Sequence, residues 1–126
     1  MIVVDTSALM AVVLDEPAAG PVAGVLEESG LVISAVSVAE ALIVAAGRDV
    51  GEEMERLLDG LGIEVAEVTT ATARRVAEAY ARWGKGNHPA GLNFGDCFAY
   101  ALAKERDLPL LFTGDDFART DLTPAL

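Results

Sequence analysis

Five carboxylates in this chain have positions that could do chemistry together: Asp5, Glu40, Asp96, Asp115 and Asp116. Asp5 closes the apolar run Ile2-Val3-Val4. Asp115 and Asp116 follow the run Leu110-Leu111-Phe112-Thr113, separated from it only by Gly114. Glu40 falls near the start of the helix expected after Leu31-Val32-Ile33, and Asp96 in the first turn of the helix before the last apolar run. Ligands of open parallel sheets bind beyond the carboxyl ends of the strands. Carboxylates gathered there repel one another unless they hold a hard cation, which prefers oxygen ligands. The set contains no His or Cys, so it suits Mg²⁺ or Mn²⁺ better than zinc. The chemistry this supports is in-line displacement at a phosphodiester, with one ion activating water and a second, about 3.5–4 Å away, stabilising the leaving oxygen. No protein nucleophile is then required.

Each carboxylate also has an ordinary structural explanation. Asp5 can cap the helix that follows it. Ser37-Val-Ala-Glu40 has the form of a capping box. Asp96 lies three residues after Asn93, a good cap, and favours the helix dipole at that point. Asp115 and Asp116 are common turn residues. Only the joint pattern points to a site.

The elements that must position these residues alternate along the chain. The first strand is residues 2–4, followed by a helix to about Leu14 that Thr6 or Ser7 can cap, broken at Glu16-Pro17. Residues 18–28 place Val22, Val25 and Leu26 on one helical face, and 31–33 form a second strand. An alanine-rich helix behind Ser37 runs to Gly47. Residues 52–61 form an amphipathic helix through Met54, Leu57, Leu58 and Leu61. Residues 63–68 alternate apolar and acidic, as an edge-like third strand does, and a helix spans 70–83. The stretch 84–91, GKGNHPAG, is a loop; a helix then runs to Arg106, and 110–113 is the fourth strand. The tail can add an edge strand. The expected fold is α/β in three layers, a parallel sheet of four or five strands flanked by helices, in a single domain over 1–126.

Composition agrees with a packed domain. Apolar residues make up 52%, too many for a disordered chain, while aromatics are only 6%, which favours helices on a buried sheet. The net charge of −11 opposes nucleic-acid binding taken alone. A solvated acidic surface accounts for it, and so does a carboxylate cluster whose bound cation inverts the local field. With one cysteine, Cys97, no internal disulfide is possible. The start, MIVVD, carries no signal-like segment, and the expected location is cytoplasmic, without a membrane anchor.

Asp5-Thr6-Ser7, the helical Glu40, Gly95-Asp96 opening a helix, and Thr113-Gly-Asp-Asp-Phe117 together resemble the PIN-domain family. The stretches GKGNHPAGLNFGDCFAYALA (84–103) and LLFTGDDFARTDL (110–122) are similar to those of VapC-type toxins of VapBC toxin–antitoxin pairs. The resemblance spans essentially the whole chain. It implies a Mg²⁺- or Mn²⁺-dependent endoribonuclease, neutralised by a cognate VapB-type antitoxin, with Asp5, Glu40 and Asp96 as the first three acidic positions. Many members read T-x-D-x-D-F where this chain reads T-G-D-D-F, one residue shorter. The fourth carboxylate is therefore Asp115 or Asp116; Asp115, closer to the strand end, is preferred, with Asp121 a remote reserve. Asp116 is counted with the metal ligands. An antitoxin Arg or Lys inserted into the acidic cleft is the expected mode of inhibition.

Thr6 and Ser7 can hydrogen-bond a ligand carboxylate, a bound water or RNA. Lys85, Arg82 and His88 around the glycine loop, and Arg119 near the last acidic pair, can contact phosphates, although ordinary surface charge explains them equally. His88, the only histidine, is more often merely exposed in such a loop. Trp83 and Phe94 can stack on bases, but anchoring roles compete. Cys97 suits a buried structural thiol. Leu9, Met10, Val13, Leu42 and Val44 serve a core, an antitoxin helix or a homodimer.

Two further readings compete. A haloacid-dehalogenase-like phosphatase wants D-x-D at the start, where position 7 here is Ser. A catalytically inactive PIN-like or receiver-like Mg²⁺-binding module is the alternative from another class; a receiver wants a late Lys beyond a strand end, and Lys104 is mid-helix.

Overall fold

The structure is a computed structural model that describes every residue, Met1–Leu126. Four parallel strands, β1 (Ile2–Val4), β2 (Leu31–Ser34), β3 (Glu64–Ala66) and β4 (Leu110–Leu111), form one sheet in the order β3-β2-β1-β4. The helices are α1 (Thr6–Val13), α2 (Ala19–Glu28), α3 (Ala35–Gly47), α4 (Gly51–Leu61), α5 (Thr70–Trp83) and α6 (Phe94–Arg106), with a short 3₁₀ turn at Phe117–Arg119. No helix is long and apolar enough to cross a membrane.

The uninterrupted apolar runs of β1 and β2 follow from burial on both faces. Val3, Val32 and Leu110 point into one core with α5 and α6, around Trp83, Phe98, Tyr100 and Phe117. Ile2, Val4, Leu31, Ile33 and Leu111 point into a second core with α1 to α4, around Leu9, Val22, Ala41 and Met54. Side chains alternate across a strand, so adjacent apolar residues serve opposite layers. This is the three-layer α/β arrangement expected from the alternation of elements. β3 is an edge strand, and Glu64 and Val65 are exposed there.

The boundaries differ from the sequence expectation in four places. Of the caps the sequence offered for α1, Asp5 forms it and Thr6 and Ser7 do not; the Asp5 side chain accepts a hydrogen bond of 3.0 Å from the Ser7 N–H. The Ser37-x-x-Glu40 capping box does not form. Ser34 caps α3 one turn earlier, accepting from the Val36 N–H at 3.3 Å, and Ser37 is buried inside the helix. Ser34 ends β2 with extended backbone, so it can occupy the cap position that Ser37 cannot. β4 stops at Leu111 because the Thr113 N–H bonds to Ser7 Oγ rather than to a ladder partner. The tail adds only one bridge, Leu110 to Pro124, held by hydrogen bonds of 2.9 Å from the Leu110 N–H to Thr123 O and from the Ala125 N–H to Leu110 O. Pro124 has no N–H to extend it.

The sheet order reverses direction of growth at β1. β2 and β3 lie on one side of it and β4 on the other. Such a switch point leaves a crevice beyond the carboxyl ends of the two flanking strands. Asp5 stands directly after β1 and the Gly114-Asp115-Asp116 turn shortly after β4.

Candidate active site

Asp5 is the most confined of the five carboxylates, at 3% exposure. One oxygen, Oδ2, accepts from the Ser7 N–H at 3.0 Å and from the Ser7 hydroxyl at 2.6 Å. The other, Oδ1, is buried with no hydrogen-bond partner. Burial pushes the Asp5 carboxyl above its ordinary range; the Ser7 hydrogen bonds oppose this, and the charge of Glu40 adds to it. A buried, unsatisfied carboxylate oxygen is unfavourable unless something positive or protic reaches it.

Asp96 sits at the third position of α6. It makes a reciprocal capping box with Asn93: the Asp96 N–H donates to Asn93 Oδ1 at 2.8 Å, and the Asn93 N–H donates to Asp96 Oδ2 at 3.0 Å. Its pKa is pushed up to about 6, first by burial, against the lowering Asn93 hydrogen bond, and further by the charges of Asp5, Asp116 and Glu40. The structural role of Asp96 as a cap partner and its place in a shared acidic field are thus both present.

Glu40 lies in the second turn of α3, a consequence of the earlier cap at Ser34. Its carboxylate rests against Gly95 of α6, where a Cβ would collide with Glu40 Oε2. The absent side chain at Gly95 lets the two helices bring Glu40 beside Asp96.

Of the last acidic pair, both exposed on the turn after β4, Asp116 is among the charges that raise the Asp96 carboxyl. Gly114, with φ of +88°, makes the turn that carries both residues past the end of β4. Asp121 is engaged elsewhere. Tyr100 donates to it at 2.7 Å and Lys104 at 3.1 Å, and Arg82 lies 3.8 Å away. Partial burial raises the Asp121 carboxyl, but the Tyr100 and Lys104 hydrogen bonds outweigh this and hold it below the ordinary range.

Asp5, Glu40, Asp96 and Asp116 therefore share one electrostatic neighbourhood at the carboxyl edge of the sheet. They do not close into a preformed shell: no three acidic, histidine or cysteine side chains meet tightly enough to hold a metal as they stand. The four carboxylates share one field rather than one tight cluster. The donor set nonetheless fits a hard divalent cation. It is all oxygen, it includes an orphaned buried oxygen on Asp5, and burial together with the neighbouring carboxylates raises the Asp96 carboxyl to about 6, a field that a bound cation would relieve.

The residues expected to meet RNA divide. Thr6 is buried, and its hydroxyl donates to Ser37 O at 3.0 Å, joining α1 to α3; it is not available to RNA. Ser7 directs its hydroxyl to Asp5 and accepts from the Thr113 N–H at 3.0 Å, so it orients the carboxylate. His88 uses Nδ1 to accept from the Ala90 N–H at 2.9 Å and sets its ring edge-on to Trp83, 4.6 Å between centroids. That makes it part of the loop's own framework. Arg119 donates to Pro89 O at 3.2 Å, tying the 84–91 loop to the segment after Asp116. Lys85 is exposed and has no carboxylate partner, unlike Arg82.

Trp83 is an anchor, its indole N–H donating to the Tyr100 hydroxyl at 2.8 Å. Cys97 is fully buried, and burial followed by the Asp96 charge pushes its thiol up to about 11, so it is no nucleophile. The double role of Ser7 and the need for glycine at position 95 were missed from sequence. The D-T-S and G-D motifs carried both signals.

A PIN domain model matches residues 2–122. Ribonuclease VapC42 of Mycobacterium tuberculosis is 43% identical over 128 residues, covering 98% of each chain. The chain belongs to the PIN-domain family, among its VapC members. Among solved structures, VapC20 of Mycobacterium tuberculosis, described as a sarcin-ricin loop cleaving toxin, superposes with a TM-score of 0.80 over 98% of this chain and 97% of its own, at 15% identity. VapBC2 from Rickettsia felis, bound to a promoter DNA fragment, gives a TM-score of 0.71 over 98% and 96%, also at 15% identity. At such identities these structures establish the fold alone.

Proposed function

We propose that this protein is a ribonuclease toxin of a toxin–antitoxin pair and that its RNA cleavage depends on Mg²⁺ or Mn²⁺. The observation that carries the metal dependence is the unpartnered, buried Oδ1 of Asp5 in the field it shares with Glu40, Asp96 and Asp116. The ribonuclease class is supported by relatives at 40–43% identity that bear that name over almost their whole length. Asp5, Glu40, Asp96 and Asp116 are the proposed ligands, with Asp115 the alternative to Asp116; both are exposed on the turn after β4. Held by these carboxylates, a divalent cation would supply activation of water and compensation of charge on the phosphoryl oxygens.

The chain's own residues supply positioning. Ser7 fixes one oxygen of Asp5 and leaves the other without a hydrogen-bond partner. Asn93 fixes one oxygen of Asp96 through the α6 cap. The N-terminal turn of α6 adds a partial positive charge near the approaching phosphodiester. Gly95 leaves room for Glu40. Pre-set carboxylates need little rearrangement during the reaction.

The proposed partner is a VapB-type antitoxin, because solved neighbours include toxin–antitoxin complexes. An arginine or lysine of that antitoxin entering the acidic crevice would compensate the same charge. No observation favours the inactive binding module, since each of the four carboxylate positions is filled.

Induced alone in a bacterial host, the wild-type chain is expected to arrest growth with accumulation of RNA fragments, and Asp5→Asn at equal protein level is expected not to. Unimpaired growth with the wild-type chain present and folded would overturn the toxin reading.

A further inference from the structure

The first turn of α6 carries a feature the metal site does not use. Phe94, two residues before Asp96, is 68% exposed, although exposing a large aromatic to water is unfavourable. Its ring meets Phe98 edge-on at 5.0 Å, which fixes its orientation and leaves one face open. Phe94 borders an apolar groove of about 350 Å³ between α5 and α6, lined also by Ala73, Val76, Ala77, Tyr80 and Cys97. Tyr80 is itself 38% exposed, and its hydroxyl donates to Lys85 O at 3.3 Å, tying the groove to the start of the 84–91 loop.

Cations as well as the exposed Glu78 stand beside this groove. Arg56, Arg75, Arg82, Lys104 and Arg106 are all ion-paired with carboxylates. Arg48, Arg74, Lys85 and Arg119 make no ion pair, and of these Arg74 and Lys85, both exposed, adjoin residues of the groove. Arg74 adjoins Ala73 and lies one turn from Ala77 on α5, and Lys85 lies beside Tyr80. An apolar, aromatic groove with unpaired cations on its rim is complementary to single-stranded nucleic acid, whose bases stack on aromatics while phosphates meet cations. An apolar protein segment has no need of those cations.

We infer that Phe94, with Tyr80, is a stacking site for a base of single-stranded RNA flanking the scissile phosphate, with Arg74 and Lys85 meeting the adjoining phosphates. The inference rests on the ribonuclease reading. Phe94 and Asp96 stand on opposite sides of the same helical turn, about 10–12 Å across with side chains. A strand with its scissile phosphate at the carboxylates therefore carries a neighbouring nucleotide over the turn and into the groove. Phe94 is a positioning and specificity residue in this scheme and holds no reacting atom.

The test is steady-state cleavage of a single-stranded RNA by the full chain in Mn²⁺, comparing wild type with Phe94→Ala, Phe94→Trp and Arg74→Ala. Phe94→Ala is expected to raise KM about 5- to 100-fold with kcat little changed, and Phe94→Trp to restore it. Arg74→Ala is expected to weaken the salt dependence of KM. Size-exclusion chromatography and thermal unfolding of each variant accompany the kinetics. Wild-type cleavage with an unchanged KM in Phe94→Ala overturns the stacking site and leaves the ribonuclease reading standing. An unchanged KM accompanied by a dimer-to-monomer shift assigns the groove to a second copy, and one accompanied by weaker antitoxin binding assigns it to that protein. Absence of wild-type cleavage removes both readings together.

Discussion

The Ser7 hydroxyl lies 2.6 Å from Asp5 Oδ2 and at the same time accepts the Thr113 N–H at 3.0 Å, linking the ends of the two adjacent strands β1 and β4. One small side chain thereby sets the Asp5 rotamer and stops the β4 ladder. Partners of this kind, one step removed from a metal, typically change metal affinity or activity 10- to 100-fold when lost. Ser7→Ala is expected to lower cleavage at limiting Mn²⁺ by about that factor. It is also expected to lower stability by about 2 kcal/mol, since the bond lost is to a charged acceptor. Metal titrations of activity and urea unfolding check both. Unchanged metal dependence would show that Asp5 needs no such support.

Gly95 faces the Glu40 carboxylate so closely that any Cβ must displace it. Gly95→Ala also gains helix propensity, up to about 1 kcal/mol. The variant is expected to keep its melting temperature within a few degrees while losing cleavage about 10-fold or more. A variant as active as wild type would mean that Glu40 can work from elsewhere.

Asp115 and Asp116 can be told apart by experiment. Asp116→Asn is expected to reduce cleavage at least 10-fold, and Asp115→Asn to change it less than 3-fold, estimates that follow from the shared field on Asp96. Parallel rate measurements on the two variants decide it, and the reverse ranking would assign the fourth position to Asp115.

These residues also show how much was legible in the sequence. The strand–helix alternation was visible because two-sided burial leaves continuous apolar runs. Asp5 and Asp96 were locatable because a strand end and an Asn-x-x-Asp cap fix their place along the backbone. Glu40 was found with an incorrect local setting: Ser34 and Ser37 both suit a cap, and only the exit angle of β2 chooses between them. Thr6 and Ser7 look interchangeable in sequence, yet one faces α3 and the other Asp5. The choice between Asp115 and Asp116 was not legible, because both follow the turn at Gly114 and both are exposed. The exposure of Phe94 depended on the packing of α5 against α6, a tertiary fact.

The acidic field should be visible in the pH dependence of stability without metal. The Asp96 carboxyl is raised in the folded chain, first by burial, to about 6. Between the ordinary carboxylate range and about pH 6 the folded state therefore holds more protons than the unfolded one. In EDTA the melting temperature is expected to rise as pH falls from 7.5 to 5, and to fall again in stronger acid as Asp121, with its lowered pKa, loses its partners. Asp96→Asn is expected to flatten the first limb, and Mg²⁺ at pH 7.5 to recover much of the difference. Thermal scans across pH read all of this, and an identical profile in the variant would separate Asp96 from the effect.

The most direct measurement is RNA cleavage by the purified, antitoxin-free chain in Mg²⁺, in Mn²⁺ and in EDTA, beside Asp96→Asn. The expected result is cleavage with either metal, none in EDTA, and a loss of at least about 100-fold in the folded variant. Cleavage that persists at full rate in EDTA, or in Asp96→Asn, would contradict the assignment of these carboxylates to a metal-dependent centre.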